Sequence, residues 1–482
     1  MSRVVIHSLS FALPARRDRP SIQPRQWQQH LITLLRRRLL LKRDPDVLVF
    51  AGPGAGKTLG ALLGFQRLRE EGRLDRFIVF CHRTSILHQW QKAALRLGLV
   101  LQAWPCHHDQ FMEADGLLLT YQAAGRQKQQ VLQTLDQLPK QRCLAIADEA
   151  HHLGVDPEDP ETGSWGPTFL DLTDSFRLRL GLTGTPFRAD NLGFCAARRM
   201  KTTLNGREVE QICPDLCVEP RELIAAGDVR PLEFRFQDGW VEHSRAGQPD
   251  RDVSPLSAEQ RESWRARNLR RAVHLADSSS ISQQVLLRAQ RKLSELRHKH
   301  GDAAGLVIAR DIDHAEAIAR LLREDGQLVE LVHSQSPLAT QRLNAFQQGQ
   351  AQWLVSIDMC AEGFDAPRLR VVVYLTTVVT RSRFVQGITR AVRMTADLAK
   401  QESIPRQPSY VFAPADPLLM DYARSWSVAE PYLLRSKEQD TASSMDEVGA
   451  GRAAGLPLEA VDDSAGSVIP MKTPELPGFL QR

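Results

Sequence analysis

The stretch "VLVFAGPGAGKTLGALLG", residues 47–64, runs an apolar segment into a glycine-rich turn and then into Lys57-Thr58 and a helical pattern. In A-G-P-G-A-G-K-T, Ala51 stands where the usual phosphate-binding loop has its first glycine, and Gly52, Gly54 and Gly56 let backbone N–H groups close around phosphate oxygens. Lys57 is spaced to reach the β- and γ-phosphates of a nucleotide, and the Thr58 hydroxyl to bind Mg²⁺. A glycine turn alone would not need the Lys-Thr pair. ATP and Mg²⁺ are therefore the expected cofactors.

Such a loop needs an acidic partner at the end of a neighbouring strand. "CLAIADEAHH", residues 143–152, supplies one, because its apolar run ends in Asp148 and Glu149, where parallel sheets bind ligands. Asp148 is read as the Mg²⁺ carboxylate and Glu149 as the group that orients or deprotonates the attacking water.

Around these segments, apolar runs alternate with longer helical patterns, the signature of parallel sheets covered by helices. "DVLVFAG", "RFIVFC", "GLLLTY", "CLAIAD" and "LRLGLTG" read as strands of one lobe. After a polar stretch from about residue 237 to 282, "AAGLVIAR", "QLVELVHS", "QWLVSID", "LRVVVYLT" and "SYVFAP" read as strands of a second. The segment from Ser436 onward is small, polar and poor in aromatics, and is expected to be a flexible tail.

Composition narrows the class. The 482 residues are 42% hydrophobic and 25% charged, with net charge +5, which suits a globular protein and permits a polyanionic partner. No apolar run approaches the length of a membrane helix, and the first residues lack a secretory pattern, so a cytoplasmic location is expected. The seven cysteines are scattered without a C-x-x-C pair, which argues against a structural metal site.

With D-E-A-H at 148–151 the sequence resembles a superfamily 2 helicase of the DEAH-box type, and the resemblance extends from about residue 22 to 430. "PRQWQQHLITLL" resembles the family's R-x-x-Q helix, which implies nucleotide contacts for Arg25 and Gln28. "FCHRTSILHQW" and "LLLTYQAAG" resemble strand-contacting motifs, which implies nucleic-acid contacts for Arg83, Thr120 and Tyr121. "GLTGTPFR" resembles the T-A-T-P linker with Gly184 in place of Ala; His151, Thr183 and Thr185 would couple nucleotide to strand binding. In the second lobe, "GLVIARDIDHAEAIARLL" and "LVHSQSP" imply nucleic-acid contacts for Arg310 and Ser334. "LVSIDMCAEGFDAP" resembles the G-x-D-x-P segment, with Gly363 and Asp365 as cofactor-binding residues. "RFVQGITRAVR" resembles the Q-x-x-G-R-x-x-R helix, with Gln386, Arg390 and Arg393 catalytic and Thr389 replacing the usual Gly.

The resemblance implies two tandem RecA-like P-loop NTPase lobes, an α/β fold with parallel sheets. The expected division is 1–21 extension, 22–236 first lobe, 237–282 connector, 283–435 second lobe and 436–482 tail. Glu362, where RNA-directed relatives often carry Arg, favours DNA over RNA as the partner. Alternatives are a motor subunit serving a separate nuclease or phage-defence complex, a nucleotide-gated clamp that remodels without separating strands, and an RNA helicase.

Overall fold

The computed structural model describes residues 22–41, 44–153, 165–184, 199–204, 207–243, 252–275, 280–333, 335–336, 338–357, 364, 366–428 and 432–434. The extension 1–21, the tail 436–482, and Thr185, Ser334, Gly363 and Asp365 lie outside those residues.

The strands in chain order are β1 (Asp46–Ala51), β2 (Arg76–Cys81), β3 (Leu101–Ala103), β4 (Gly116–Thr120), β5 (Cys143–Asp148), β6 (Leu178–Thr183), β7 (Arg199–Leu204), β8 (Arg207–Ile212) and β9 (Leu216–Val218). They continue as β10 (Leu232–Gln237), β11 (Trp240–His243), β12 (Asp252–Pro255), β13 (Ala304–Ala309), β14 (Val329–Val332), β15 (Trp353–Ile357), β16 (Leu369–Leu375), β17 (Ser409–Pro414) and β18 (Tyr432–Leu434). The first lobe is a seven-stranded sheet in the order β3-β4-β2-β5-β6-β1-β9, and the second a six-stranded sheet in the order β10-β17-β16-β13-β15-β14. Every pairing within these two sheets is parallel.

The apolar runs become strands because a parallel sheet is covered on both faces, so consecutive residues must all be buried. β1, β5, β6, β13 and β16 are buried at every position. The helices are apolar along one stripe only. In Ile312–Glu324 the buried residues are His314, Ala315, Ile318, Ala319 and Leu322, a helical repeat. Its start is set by Asp311, whose carboxylate accepts from the His314 N–H at 2.8 Å.

The expected boundaries need correction. β10 falls within the range assigned to the first lobe, yet it pairs with β17 along its whole length and belongs to the second sheet. The stretch read as a connector holds the antiparallel hairpin β11–β12 and the helix Glu262–Ala272. That helix is anchored to the second lobe by the buried ion pair of Arg265 with Asp416, 2.9 Å. A further antiparallel sheet, β18-β8-β7, lies outside the two main ones.

Candidate functional site

β1 carries the chain into the glycine turn from the interior of the first sheet, between β6 and β9. Gly54 and Gly56 have φ of 78° and 81°, which glycine adopts without the steric penalty of a Cβ. Helix Lys57–Glu70 starts directly after the turn, so its first N–H groups have no acceptor within the helix and face the place where phosphates would lie.

The carbonyls of the turn are held from the opposite side. Arg25 donates to the Gly54 and Ala55 oxygens, both at 2.9 Å, Trp27 Nε1 to the Ala55 oxygen at 3.0 Å, and Gln28 Nε2 to the Gly56 oxygen at 3.1 Å. Arg25 and Gln28, expected to contact a nucleotide, thus make contacts to the loop itself. The Gln28 side chain is buried, and its Oε1 accepts from the Arg25 N–H at 2.9 Å, so both its ends are engaged in bracing the loop. Arg25 also pairs with Asp228 at 3.3 Å, and burial lowers its pKa.

Asp148 ends β5 as expected, and it is buried. Its Oδ2 accepts from Trp90 Nε1 at 2.7 Å, its Oδ1 from the Glu149 N–H at 3.1 Å, and its backbone oxygen from the Tyr121 hydroxyl at 3.0 Å. Glu149 follows in the left-handed region with φ 49°, a conformation that costs a non-glycine residue on the order of 1 kcal/mol and turns its carboxylate out of the strand direction. That carboxylate lies 3.4 Å from Lys57 Nζ, 3.4 Å from His151 Nδ1 and 3.3 Å from the Gly184 N–H.

These surroundings drive the two adjacent carboxyls apart. Burial pushes the Asp148 carboxyl up, and the Glu149 charge adds to it. Burial also works to raise Glu149, but Lys57, His151 and His82 together outweigh it and hold the group below the usual carboxylate range. Glu149 is therefore ionised at neutral pH while Lys57 stays beside it.

His151 Nδ1 is also 3.0 Å from the Thr183 hydroxyl, so the end of β6 touches the turn after β5. Gly184 comes next, and a Cβ there would stand 2.5 Å from Lys57 Nζ. The departure from the T-A-T-P pattern thus makes room for Lys57 in its pairing with Glu149.

The second lobe reaches the same loop. A Cβ at Gly54 would lie 3.3 Å from Val392 Cγ2 and 3.8 Å from Arg393 Cγ, which sets Arg393 against the phosphate turn. Helix Arg381–Ile388 carries Gln386, and a 3-10 turn, Thr389–Val392, carries Arg390, whose Nη1 donates to the Phe364 oxygen at 2.9 Å. Arg393 follows in extended conformation, so the two arginines are not three apart on one helix as expected. Thr389, in the usual glycine place, is buried with its hydroxyl donating to the Val385 oxygen at 2.5 Å.

Residues 21–188 match the family described as the type III restriction enzyme res subunit, and residues 288–395 match the helicase conserved C-terminal domain. The uncharacterized protein ML1624 of Mycobacterium leprae is 28% identical over 448 residues, covering 91% of this chain and 69% of that protein. Protein Rv2917 of Mycobacterium tuberculosis is 29% identical over 435 residues, 87% of this chain and 65% of that one. The chain thus spans about two thirds of the length of these relatives. Among solved structures, a fragment described as an HsdR subunit of a type I restriction enzyme from Vibrio vulnificus superposes with TM-score 0.53 at 17% identity, over 86% of this chain and 68% of that one. S. cerevisiae Dbp5 bound to RNA and ADP BeF3 superposes with TM-score 0.50 at 12% identity, over 88% and 93%. At those identities the likeness concerns the fold, and the fold is that of two RecA-like lobes.

The matches support a superfamily 2 helicase core.

Arg83 is exposed at the N-terminus of helix Thr84–Arg96. Thr120 is the N-cap of helix Tyr121–Arg126, its hydroxyl accepting from the Ala123 N–H at 3.1 Å. Tyr121 corrects the expectation of a strand contact, because its side chain is 1% exposed and its hydroxyl is spent on Asp148. Arg310 pairs with Asp311 at 2.6 Å at the mouth of β13. Ser334, Thr185, Gly363 and Asp365 lie outside the described residues.

Sequence reasoning missed Trp90, Trp27 and Asp228. A tryptophan in an amphipathic helix reads as ordinary core, and nothing in its spacing tells that its N–H meets a carboxylate 58 residues away. Among the described residues no helix is long and apolar enough to cross a membrane.

The implied cofactors fit what is present. The loop supplies N–H groups and Lys57 for phosphates, and Thr58 with Asp148 supplies hard oxygen donors of the kind Mg²⁺ prefers.

Proposed function

We propose that this chain is an ATP-dependent motor of the DEAH-box branch, working in the cytoplasm, that moves along DNA or separates its strands. The observation that carries the reading is the meeting of Lys57, Glu149 and the second lobe's Arg393 at one glycine turn. A nucleotide site completed by a second lobe can convert hydrolysis into relative movement of the two lobes.

Thr58 and Asp148 would hold Mg²⁺, which when bound neutralises charge on the phosphates. Gly52, Gly54 and Gly56 shape the loop around the phosphates, and Lys57 leaves Glu149 to reach them. Once Lys57 has moved, Glu149 loses the cation that holds its pKa down, and its oxygen becomes a better base for the attacking water. Arg390 and Arg393 stabilise charge developing on the transferred group, with Gln386 beside them. His151 and Thr183, in contact at 3.0 Å, carry the state of the site towards the strand-binding face. There Arg83, Thr120 and Arg310 would hold phosphates without reading sequence.

The resemblance to the res subunit of a type III restriction enzyme supports DNA as the track and a further subunit as a partner. The test is ATP hydrolysis with DNA and RNA oligonucleotides, beside strand-displacement and triplex-displacement assays. Stimulation by DNA with triplex displacement is expected. Hydrolysis that neither nucleic acid accelerates would sink the proposal.

A further inference from the structure

Two buried aromatic side chains join the Mg²⁺ carboxylate to the elements that carry the strand contacts. Trp90 lies on helix Thr84–Arg96, seven residues after Arg83, and donates to Asp148 Oδ2 at 2.7 Å. Tyr121 follows Thr120 directly, and its hydroxyl donates to the Asp148 oxygen at 3.0 Å. Trp90 is 0% exposed, Tyr121 1% and Asp148 6%. Both bonds are therefore shielded from water and strong for their kind.

The two bonds act on different degrees of freedom. The indole N–H fixes the rotation of the carboxylate and occupies one lone pair of Oδ2, which decides where the remaining lone pairs point. The tyrosine hydroxyl holds the peptide at the end of β5, where the chain turns sharply through the left-handed Glu149. Tyr121 is itself seated by stacking on Trp165 of helix Trp165–Thr173 at 5.6 Å and on Phe80 of β2 at 6.4 Å, which fixes the direction in which its hydroxyl points. A shift of the Arg83 or Thr120 end of either helix is thus delivered to Asp148.

We propose that Trp90 and Tyr121 are positioning residues that set the Mg²⁺-binding geometry of Asp148 and carry strand engagement to it. Resting on the motor reading, this assigns the stimulation of hydrolysis by nucleic acid to two hydrogen bonds.

The test uses the full chain with Tyr121→Phe, which keeps the buried ring and deletes its hydroxyl, and Trp90→Phe, which puts a smaller ring without a donor in the place of the indole. The first readout is the affinity of a fluorescent ADP analogue in Mg²⁺ and in EDTA. Trp90→Phe should lose about 10-fold or more of the Mg²⁺-dependent gain, as for other partners of metal ligands, with the EDTA value unchanged. The second readout is the ratio of ATP hydrolysis with and without oligo-dT. Tyr121→Phe should lower that ratio about 5-fold. Thermal midpoints identify a variant that fails to fold, in which case the other variant decides. A wild-type Mg²⁺ gain in folded Trp90→Phe, or a wild-type ratio in folded Tyr121→Phe, overturns the inference. An unsubstituted chain showing neither Mg²⁺ gain nor stimulation overturns the motor reading instead.

Discussion

Replacing Glu149 by Gln separates the two duties its carboxylate performs. The side chain keeps its length, and the left-handed φ of 49° strains Gln as much as Glu, so the backbone should stay as it is. What goes is the negative charge 3.4 Å from Lys57 and 3.4 Å from His151. At an effective dielectric near 20, the Lys57 contact is about 5 kcal/mol of attraction before desolvation, and measured pairs with partial exposure retain ~1 kcal/mol or less. Released from that pair, Lys57 should meet phosphates more readily, and ATP should bind up to about fivefold more tightly. Turnover should fall by about 10² or more, close to 2.7 kcal/mol in the barrier, because the basic oxygen is gone. The assay is steady-state hydrolysis with saturating single-stranded DNA, beside the affinity of a fluorescent ATP analogue. Hydrolysis at the wild-type rate would refute the role of Glu149; weakened ATP binding would refute the competition for Lys57.

Arg393→Ala should lower DNA-stimulated turnover by about 10³ with ATP affinity little changed, and Arg393→Lys should restore only part, lacking the planar fork; normal turnover in the alanine variant would detach the second lobe from the chemistry. With Arg83 and Arg310 as the charged phosphate contacts, single-stranded DNA affinity should drop roughly 7-fold between about 50 and 200 mM salt, with little sequence preference, and a flat response would argue against phosphate contacts. His314 is buried and pushed down to about 4 by burial and then by Arg310, while its Nδ1 accepts from the Arg310 N–H. Its unfolded pKa near 6.5 means that the unfolded chain takes up the proton first, so this contribution is complete above about pH 6.5 and is lost as pH falls towards 4. Urea midpoints at pH 7.5 and 5 should differ less in His314→Asn, and an unchanged difference would remove His314 as the cause.

Ten strands, the glycine turn and the Asp148–Glu149 pair could be read from the sequence, since each depends on neighbours along the chain. An apolar run long enough to be buried on both faces makes β1, β5 or β16 wherever it is placed, and glycines spaced as Gly54 and Gly56 make the turn. β3 and β9, three residues each, are too short to leave a pattern. β10 alternates with charge because an edge strand is half-buried, which hid its membership of the second sheet. Tertiary structure alone decided what each side chain faces. It turned Arg25 and Gln28 onto the loop's carbonyls and buried Tyr121 against Asp148. It also brought Arg393 to a glycine more than 300 residues earlier in the chain. Such contacts arise from the packing of one element on another, and local spacing fixes which face of an element is apolar but not which polar atom of a distant element will meet it.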